Sequence, residues 1–375
     1  MEGTEGKLLK NVNQIIINNN THEISIMSLG ENTMNKAPLM KVTAALGFCL
    51  ALSASAVADT VLRVATWLPP GHTMNAEILS TWGKWIEEES EGRVTVKLEY
   101  GMGHPKSMFD LVEDGVVDAS YSYHGYVPGR FKLPQIVEQP SPGMGMGVNA
   151  EAASVALWRV YNKYFMESGE FEGLTLAGLF SPGPGHVHTI KPISSLADLK
   201  GKKIRIGGGI QSTLGKRLGI TPIAAPGSKV YEMLQQGVID GVFMPMNEQK
   251  SLRLYEVAPN VLAVPGGMYL GSFSMVINPG FLANLPKKDR DAIMRASGER
   301  FSTMAGRTWD KGDAGALIFA KSKGGTVTSN KQLAEEFKQY SKGLDEEWLK
   351  SVESSGLDTE SALKELHEIA RNYGG

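Results

Sequence analysis

Arg205 is the residue whose type and setting point most directly to chemistry. It sits in Lys203-Ile204-Arg205-Ile206, followed at once by Gly207-Gly208-Gly209. If the run is a strand, Ile204 and Ile206 share one face and Arg205 takes the other. A guanidinium offers a carboxylate two parallel N–H bonds. Ligands of open α/β sheets gather beyond the carboxyl ends of strands, and a glycine-rich turn lets backbone come close to them. The competing use of Arg205 is a structural ion pair with a nearby Asp or Glu. Aromatic residues stand at similar places. Trp67 follows the apolar run Val61 to Thr66, and Tyr121, Tyr123, His124 and Tyr126 cluster after a second such run. Phe243, Tyr269 and Phe273 are further candidates, with Glu138 and Glu248 as carboxylates. Aromatic walls with a few polar groups are the usual form of a small-molecule pocket. Such rings hold an apolar body or a cation.

Other chemistries find less support. His186 and His188 would share a face on a strand, yet no nearby Cys or close His completes a tetrahedral metal set. No metal and no cofactor are expected. The chain has no nucleophile elbow, no P-loop and no H-E-x-x-H. Glu138 or Glu248 with His124 could do acid–base work, but no spacing selects them, so a hydrolase or lyase stays a minor alternative. The net charge of −2 lacks the basic excess of a nucleic-acid binder. With 42% hydrophobic and 21% charged residues in 375, the composition is that of a folded soluble protein.

The elements that position these residues begin after an address. Residues 34–58 carry Lys36 and Lys41, an apolar run from Val42 to Leu52, and Ala56-x-Ala58 before Asp59, the pattern of a signal peptide. The single cysteine, Cys49, falls inside it. Residues 1–33, Asn-rich and without helical period, are expected to have no folded role, with Met34 or Met40 as the true start.

Beyond residue 59 a strand, a Pro69-Pro70-Gly71 turn, a helix with Met74, Ile78, Trp82 and Ile86 on one face, and a strand from Arg93 to Tyr100 make a β-α-β unit. Such a unit implies parallel pairing with a right-handed crossover. Gly115-Val116-Val117-Asp118 and Gly237-Val238-Ile239-Asp240 both follow apolar helix ends, the glycine serving as a helix stop. The repetition predicts two α/β domains of one design. Residues 287 to about 321 lack proline and read as one long helix along both lobes. A short strand at Thr326-Val327 and helices at 333–350 and 359–373 close the chain.

These residues resemble the solute-binding proteins of tripartite ATP-independent periplasmic (TRAP) transporters, of the dicarboxylate-binding type. The likeness runs from about Thr60 onward. It is carried by Ser195-Leu196-Ala197-Asp198-Leu199-Lys200-Gly201-Lys202-Lys203-Ile204-Arg205, by Gly227 to Tyr231, by Gly237 to Gly241, and by Gly125-Tyr126-Val127-Pro128-Gly129-Arg130-Phe131. The resemblance implies a two-lobed α/β periplasmic binding-protein fold with mostly parallel sheets and a bridging helix. Its parts would be lobe I at 59–180, lobe II at 181–265, a return to lobe I at 266–285, the helix at 286–323 and a C-terminal strand and helices at 324–375. It implies a periplasmic, non-enzymatic monomer that hands a small molecule to membrane permease subunits, with Arg205 on a substrate carboxylate. Two departures stand out. His186 occupies the place of a second family arginine, and Val242-Phe243-Met244-Pro245 replaces a polar run ending in Asn-Pro. They point to a smaller or more apolar ligand, first a small carboxylate with an apolar or aromatic body. A small amine or amino alcohol held by the rings and Glu138 is the runner-up, and presentation of ligand to a membrane sensor is a further alternative. The expected contacts are Arg205, Trp67, Tyr123, His124, Glu138, His186, Gly207, Phe243, Glu248 and Tyr269.

Overall fold

The computed structural model describes residues 60–139 and 149–373. The extension at 1–33, the signal at 34–58 with Cys49, and the glycine-rich run 143–147 lie outside the described residues. Strand β1 (Thr60–Thr66) leads through a one-turn wide helix into α1 (Ser80–Glu89), then β2 (Val94–Tyr100), α2 (Met108–Glu113) and β3 (Ala119–Tyr123). Met74, Ile78, Trp82 and Ile86 are all buried, so the four-residue spacing is the inner stripe of that first helix. β1 pairs in parallel with both β2 and β3. Helix α3 (Ala150–Val160) and β4 (Thr175–Phe180) follow, and the chain then crosses to a second sheet at β5 (Gly185–Thr189).

The second sheet repeats the plan. β6 (Lys203–Ile206), α4 (Ile210–Arg217), β7 (Thr221–Ala224), α5 (Val230–Gln235) and β8 (Gly241–Pro245) form another β-α-β-α-β run. β6 pairs in parallel with β7 and β8. The repeated aspartates have a common task. Asp118 accepts the backbone N–H of Arg63 at 2.8 Å, and Asp240 accepts that of Lys203 at 2.8 Å. Each ties the middle strand of its lobe's parallel trio, β1 between β2 and β3 or β6 between β7 and β8, to the segment that follows the helix-stopping glycine. Helices α6 (Glu248–Ser251) and α7 (Leu254–Val257) and strand β9 (Asn260–Leu262) complete this passage.

The chain then returns to lay β10 (Phe273–Ile277) between β3 and β4, antiparallel to both. The strand orders are β2-β1-β3-β10-β4 and β11-β9-β5-β8-β6-β7, with β11 at Thr326–Thr328. Both sheets are therefore mixed. The parallel pairs belong to the repeated units and to β11 with β9, and the antiparallel pairs belong to β10 and β5, which enter after a crossing between lobes. Each sheet is covered by helices on both faces, giving an α/β fold of two lobes.

The single helix read at 287–321 is two. α8 (Pro279–Asn284) precedes α9 (Lys287–Ala296), and α10 spans Glu299–Ser322. The break lies at Ser297-Gly298. Gly298 has φ of +69°, donates its N–H to the Ala177 carbonyl at 2.7 Å, and has the Trp158 ring where a side chain would begin. Only glycine takes that conformation cheaply. α10, about 36 Å long at 1.5 Å per residue, does run along both lobes. Phe301, Ala305 and Trp309 belong to the first lobe's core, and Ala316 packs with Met246 and Val261 of the second. The helix read at 333–350 is likewise divided at Lys342-Gly343 into α11 (Lys331–Ser341) and α12 (Leu344–Val352). α11 packs on the second lobe through Leu333 and Phe337. α12 and α13 (Thr359–Tyr373) pack on the first through Trp348, Val352 and Leu366.

Candidate functional site

The two sheets aim the carboxyl ends of their parallel strands at a common cavity. Its volume is about 70 Å³, where one water needs roughly 10–15 Å³ on the same measure. The lobes touch around it. Tyr126, from the turn after β3, accepts at its hydroxyl the N–H of Gly227 and an Nη2–H of Arg205, each at 2.9 Å. Tyr123 donates to the Gly208 carbonyl at 3.2 Å. Glu138 accepts the N–H of Ile210, the first residue of α4, at 3.1 Å.

Arg205 ends β6 and is 2% exposed. Its Nε–H donates to the Ala225 carbonyl at 2.8 Å, and Nη1 approaches the Phe243 carbonyl at 3.5 Å. Its recorded contacts are two carbonyls and one hydroxyl, and it makes no ion pair with a described residue. Five N–H groups meet three acceptors, so donors remain for a further one. Tyr126 has received two hydrogen bonds at its oxygen, which leaves its own O–H to be given away beside Arg205.

Apolar rings make the walls. Trp67, fixed by its Nε1–H to the Tyr121 carbonyl at 3.1 Å, meets Tyr126 edge to face at 5.7 Å. Tyr123 lies 5.2 Å from Phe273 and 5.3 Å from Tyr126, centroid to centroid. Phe243, Tyr269 and Gly207 also line the space, and Gly207 donates its N–H to Gln211 at 2.8 Å. Burial holds the Tyr123 and Tyr269 phenols far above their ordinary range, so both stay neutral. Glu248 lies on the wall as well, with each carboxylate oxygen 3.2 Å from Nε2 of His72.

Three residues read as ligand contacts do not reach the cavity. His124 is core. Its ring nitrogens meet the hydroxyls of Ser272 and Ser274 at 3.0 Å, its ring lies against Phe109 and Phe131, and burial pushes it down to about 3. His186 sits on β5, on the face shared with His188. Burial pushes it down to about 3, and its Nδ1 has no partner among the described residues. Burial pushes His188 down to about 4, its ring nitrogens meeting the Met244 carbonyl and the Gln249 amide, and among the described residues no cluster could hold a metal ion. Glu138 stands behind the wall, where it accepts the N–H and O–H of Ser272 at 3.2 and 2.6 Å. Burial outweighs these bonds and pushes it up to about 7.

The structure adds residues that the sequence reading passed over. His72, just past the Pro-Pro-Gly turn, could have been suspected as a loop residue at a strand's carboxyl end. Gln211 is the second residue of the helix after the triple glycine. Trp309 comes from the middle of α10, and nothing local to it signals a pocket.

Comparisons with known proteins agree with this geometry. The family model of bacterial extracellular solute-binding protein family 7 matches residues 64–351. The outer membrane transporter protein TsaT of Comamonas testosteroni is 30% identical over 325 residues, covering 86% of this chain and 94% of that protein. A TRAP periplasmic solute-binding protein of Bordetella bronchiseptica, solved with bound (R)- and (S)-mandelate, is 34% identical with a TM-score of 0.79, over 84% of this chain and 99% of that one. A TRAP solute-binding protein of Rhodoferax ferrireducens, solved with copurified benzoate, is 27% identical with a TM-score of 0.77, over 83% and 98%. Among the described residues no helix is long and apolar enough to cross a membrane.

Proposed function

The chain belongs to bacterial extracellular solute-binding protein family 7, the solute receptors of TRAP transporters, and we propose that its own solute is a small aromatic monocarboxylate. The observation that carries this is Arg205: a buried guanidinium with spare N–H groups and no acidic partner among the described residues, facing a cavity walled by rings. A buried cation without a counter-charge is costly, and a bound carboxylate supplies one through charge-assisted hydrogen bonds. Tyr126 adds an O–H. Trp67, Tyr123, Phe243, Tyr269 and Phe273 cover a ring. The cavity is several times the minimum space that one water needs. Mandelate and benzoate in the structural relatives support the same class. The amine alternative rests on Glu138, whose oxygens are taken by Ser272 and Ile210 behind the wall.

On this reading the protein works in the periplasm without turning its ligand over, closing its lobes on the acid and presenting it to the membrane permease subunits. Calorimetric titration with benzoate, mandelate and cyclohexylamine tests it. The acids should bind and the amine should not. Arg205→Ala should weaken acid binding by at least about tenfold, the loss of a charge-assisted contact. Amine binding without acid binding, or an Arg205→Ala affinity within about twofold of the parent, would sink the proposal.

A further inference from the structure

We infer that Glu248 and His72 form a second polar subsite that reads a hydroxyl group on the bound acid. This rests on the carboxylate reading above and extends it to the remainder of the ligand. Glu248 is 5% exposed and lies on the cavity wall, and it does not pair with Arg205. The recorded donor to its oxygens is Nε2 of His72, at 3.2 Å from each. An ionised carboxylate has about four acceptor directions, so a single shared N–H leaves acceptor capacity in a nearly dry site.

His72 is itself fixed. Its Nδ1 accepts the Met74 N–H at 3.0 Å, which in the neutral ring puts the hydrogen on Nε2 and aims it at Glu248. The carboxylate is therefore oriented by a ring N–H that the backbone holds in place. Trp309 stands edge-on to His72 at 5.8 Å, lines the same cavity, and has a buried indole N–H with no partner among the described residues. The subsite thus holds a spare acceptor and a spare donor. A hydroxyl meets both needs, giving its hydrogen to Glu248 and taking one from Trp309. An ammonium would satisfy the carboxylate and leave the indole unanswered.

Benzoate and its 2-, 3- and 4-hydroxy isomers, titrated against the protein by calorimetry, decide the matter. The expected result is that one hydroxy isomer binds at least about tenfold tighter than benzoate, since a site built to bond a hydroxyl discriminates against its absence. Glu248→Gln should bring that ratio to within about threefold of one. Trp309→Phe, which keeps the ring and removes the N–H, should lower the ratio independently if the first variant fails to fold. Equal binding of all four acids within about threefold overturns the subsite while the carboxylate reading stands. A preference that survives both substitutions overturns it as well. Failure of every acid to bind overturns the carboxylate reading and the subsite with it.

Discussion

Closing the lobes should take up a proton at Glu138. In the closed arrangement this carboxyl is fully buried, with Oε2 on the N–H of Ile210 across the cleft and Oε1 on Ser272. The titratable groups that interact with it are the phenols of Tyr123 and Tyr269. Burial raises Glu138 to about 7 from its ordinary value of 4.5. Opening the lobes breaks the contact with Ile210 and lets water in, so the ordinary value returns. The sign follows. Between 4.5 and 7 the closed form holds a proton that the open form has released, so closure is favoured as pH falls and the advantage fades as pH rises through 7. By linkage the closed form is about one-tenth protonated at pH 8 and about nine-tenths at pH 6, and the open form scarcely at either. Ligand affinity, which depends on closure, should therefore rise about tenfold from pH 8 to pH 6, with about 0.9 proton taken up per ligand at pH 6. Benzoate keeps its charge throughout. Calorimetry in buffers of different ionisation enthalpy counts the proton directly. Asp313, which burial pushes up to about 8, titrates nearby, so the substitution and not the profile alone assigns the group. Glu138→Gln should flatten the profile. A parent affinity constant within twofold over this range, or an unchanged slope in Glu138→Gln, refutes the reasoning.

Other consequences can be checked separately. Gly208 has φ of +102°, and a Cβ there would overlap the Gly125 carbonyl oxygen of the other lobe. Gly208→Ala should leave the lobes folded but unable to close, with benzoate affinity down at least about tenfold and no compaction on ligand addition in solution scattering. Asp118 accepts the Arg63 backbone N–H and two guanidinium N–H groups in a part-buried setting, whereas the Asp240 carboxylate accepts the exposed Lys203 N–H. Urea unfolding should show Asp118→Ala losing about 1–3 kcal/mol and Asp240→Ala about 1 or less. A Cβ at Gly306 would overlap the Ala150 carbonyl where α10 crosses α3. Gly306→Val should cost about 1–3 kcal/mol or more of stability through overpacking, read as a lower urea midpoint.

What could be read beforehand was what is local. Strand alternation, the four-residue stripe from Met74 to Ile86 and the doubled glycine-to-aspartate segments are short-range patterns, and they reappear as β1, the first helix and the two pinned strands. Arg205 was visible because a strand end followed by three glycines is itself a local signal. The breaks at Gly298 and Gly343 were missed for a different reason. Gly306, Gly312 and Gly315 stay helical inside α10, so glycine alone does not mark an end. Gly298 ends α9 because Ala177 takes its N–H and Trp158 fills the space beside it, and both lie more than a hundred residues earlier. His72, Trp309 and the true place of Glu138 are of the same kind. Each is set by a partner from another part of the chain, Glu248 for the first and Ile210 for the last.

The repeat also explains how one design makes a lopsided site. Matching Arg63 with Lys203 through their aspartates, and Val64–Ala119 with Ile204–Gly241 through strand register, superposes the two units position by position. Arg205 then corresponds to Ala65, Gly207 to Trp67, Phe243 to Tyr121 and Pro245 to Tyr123. At the same strand ends one lobe carries Arg205, Gly207 and Phe243, and the other carries no charge and the rings of Trp67, Tyr121 and Tyr123. The cation comes from one lobe alone, and rings come from both. The cation lies beneath Tyr126 of the opposite lobe, so a ligand that neutralises Arg205 while filling the ring-lined space gains its full contact only with the lobes together. That differential contact is what a ligand needs to drive closure, and differences at a few matched strand-end positions of one design supply it.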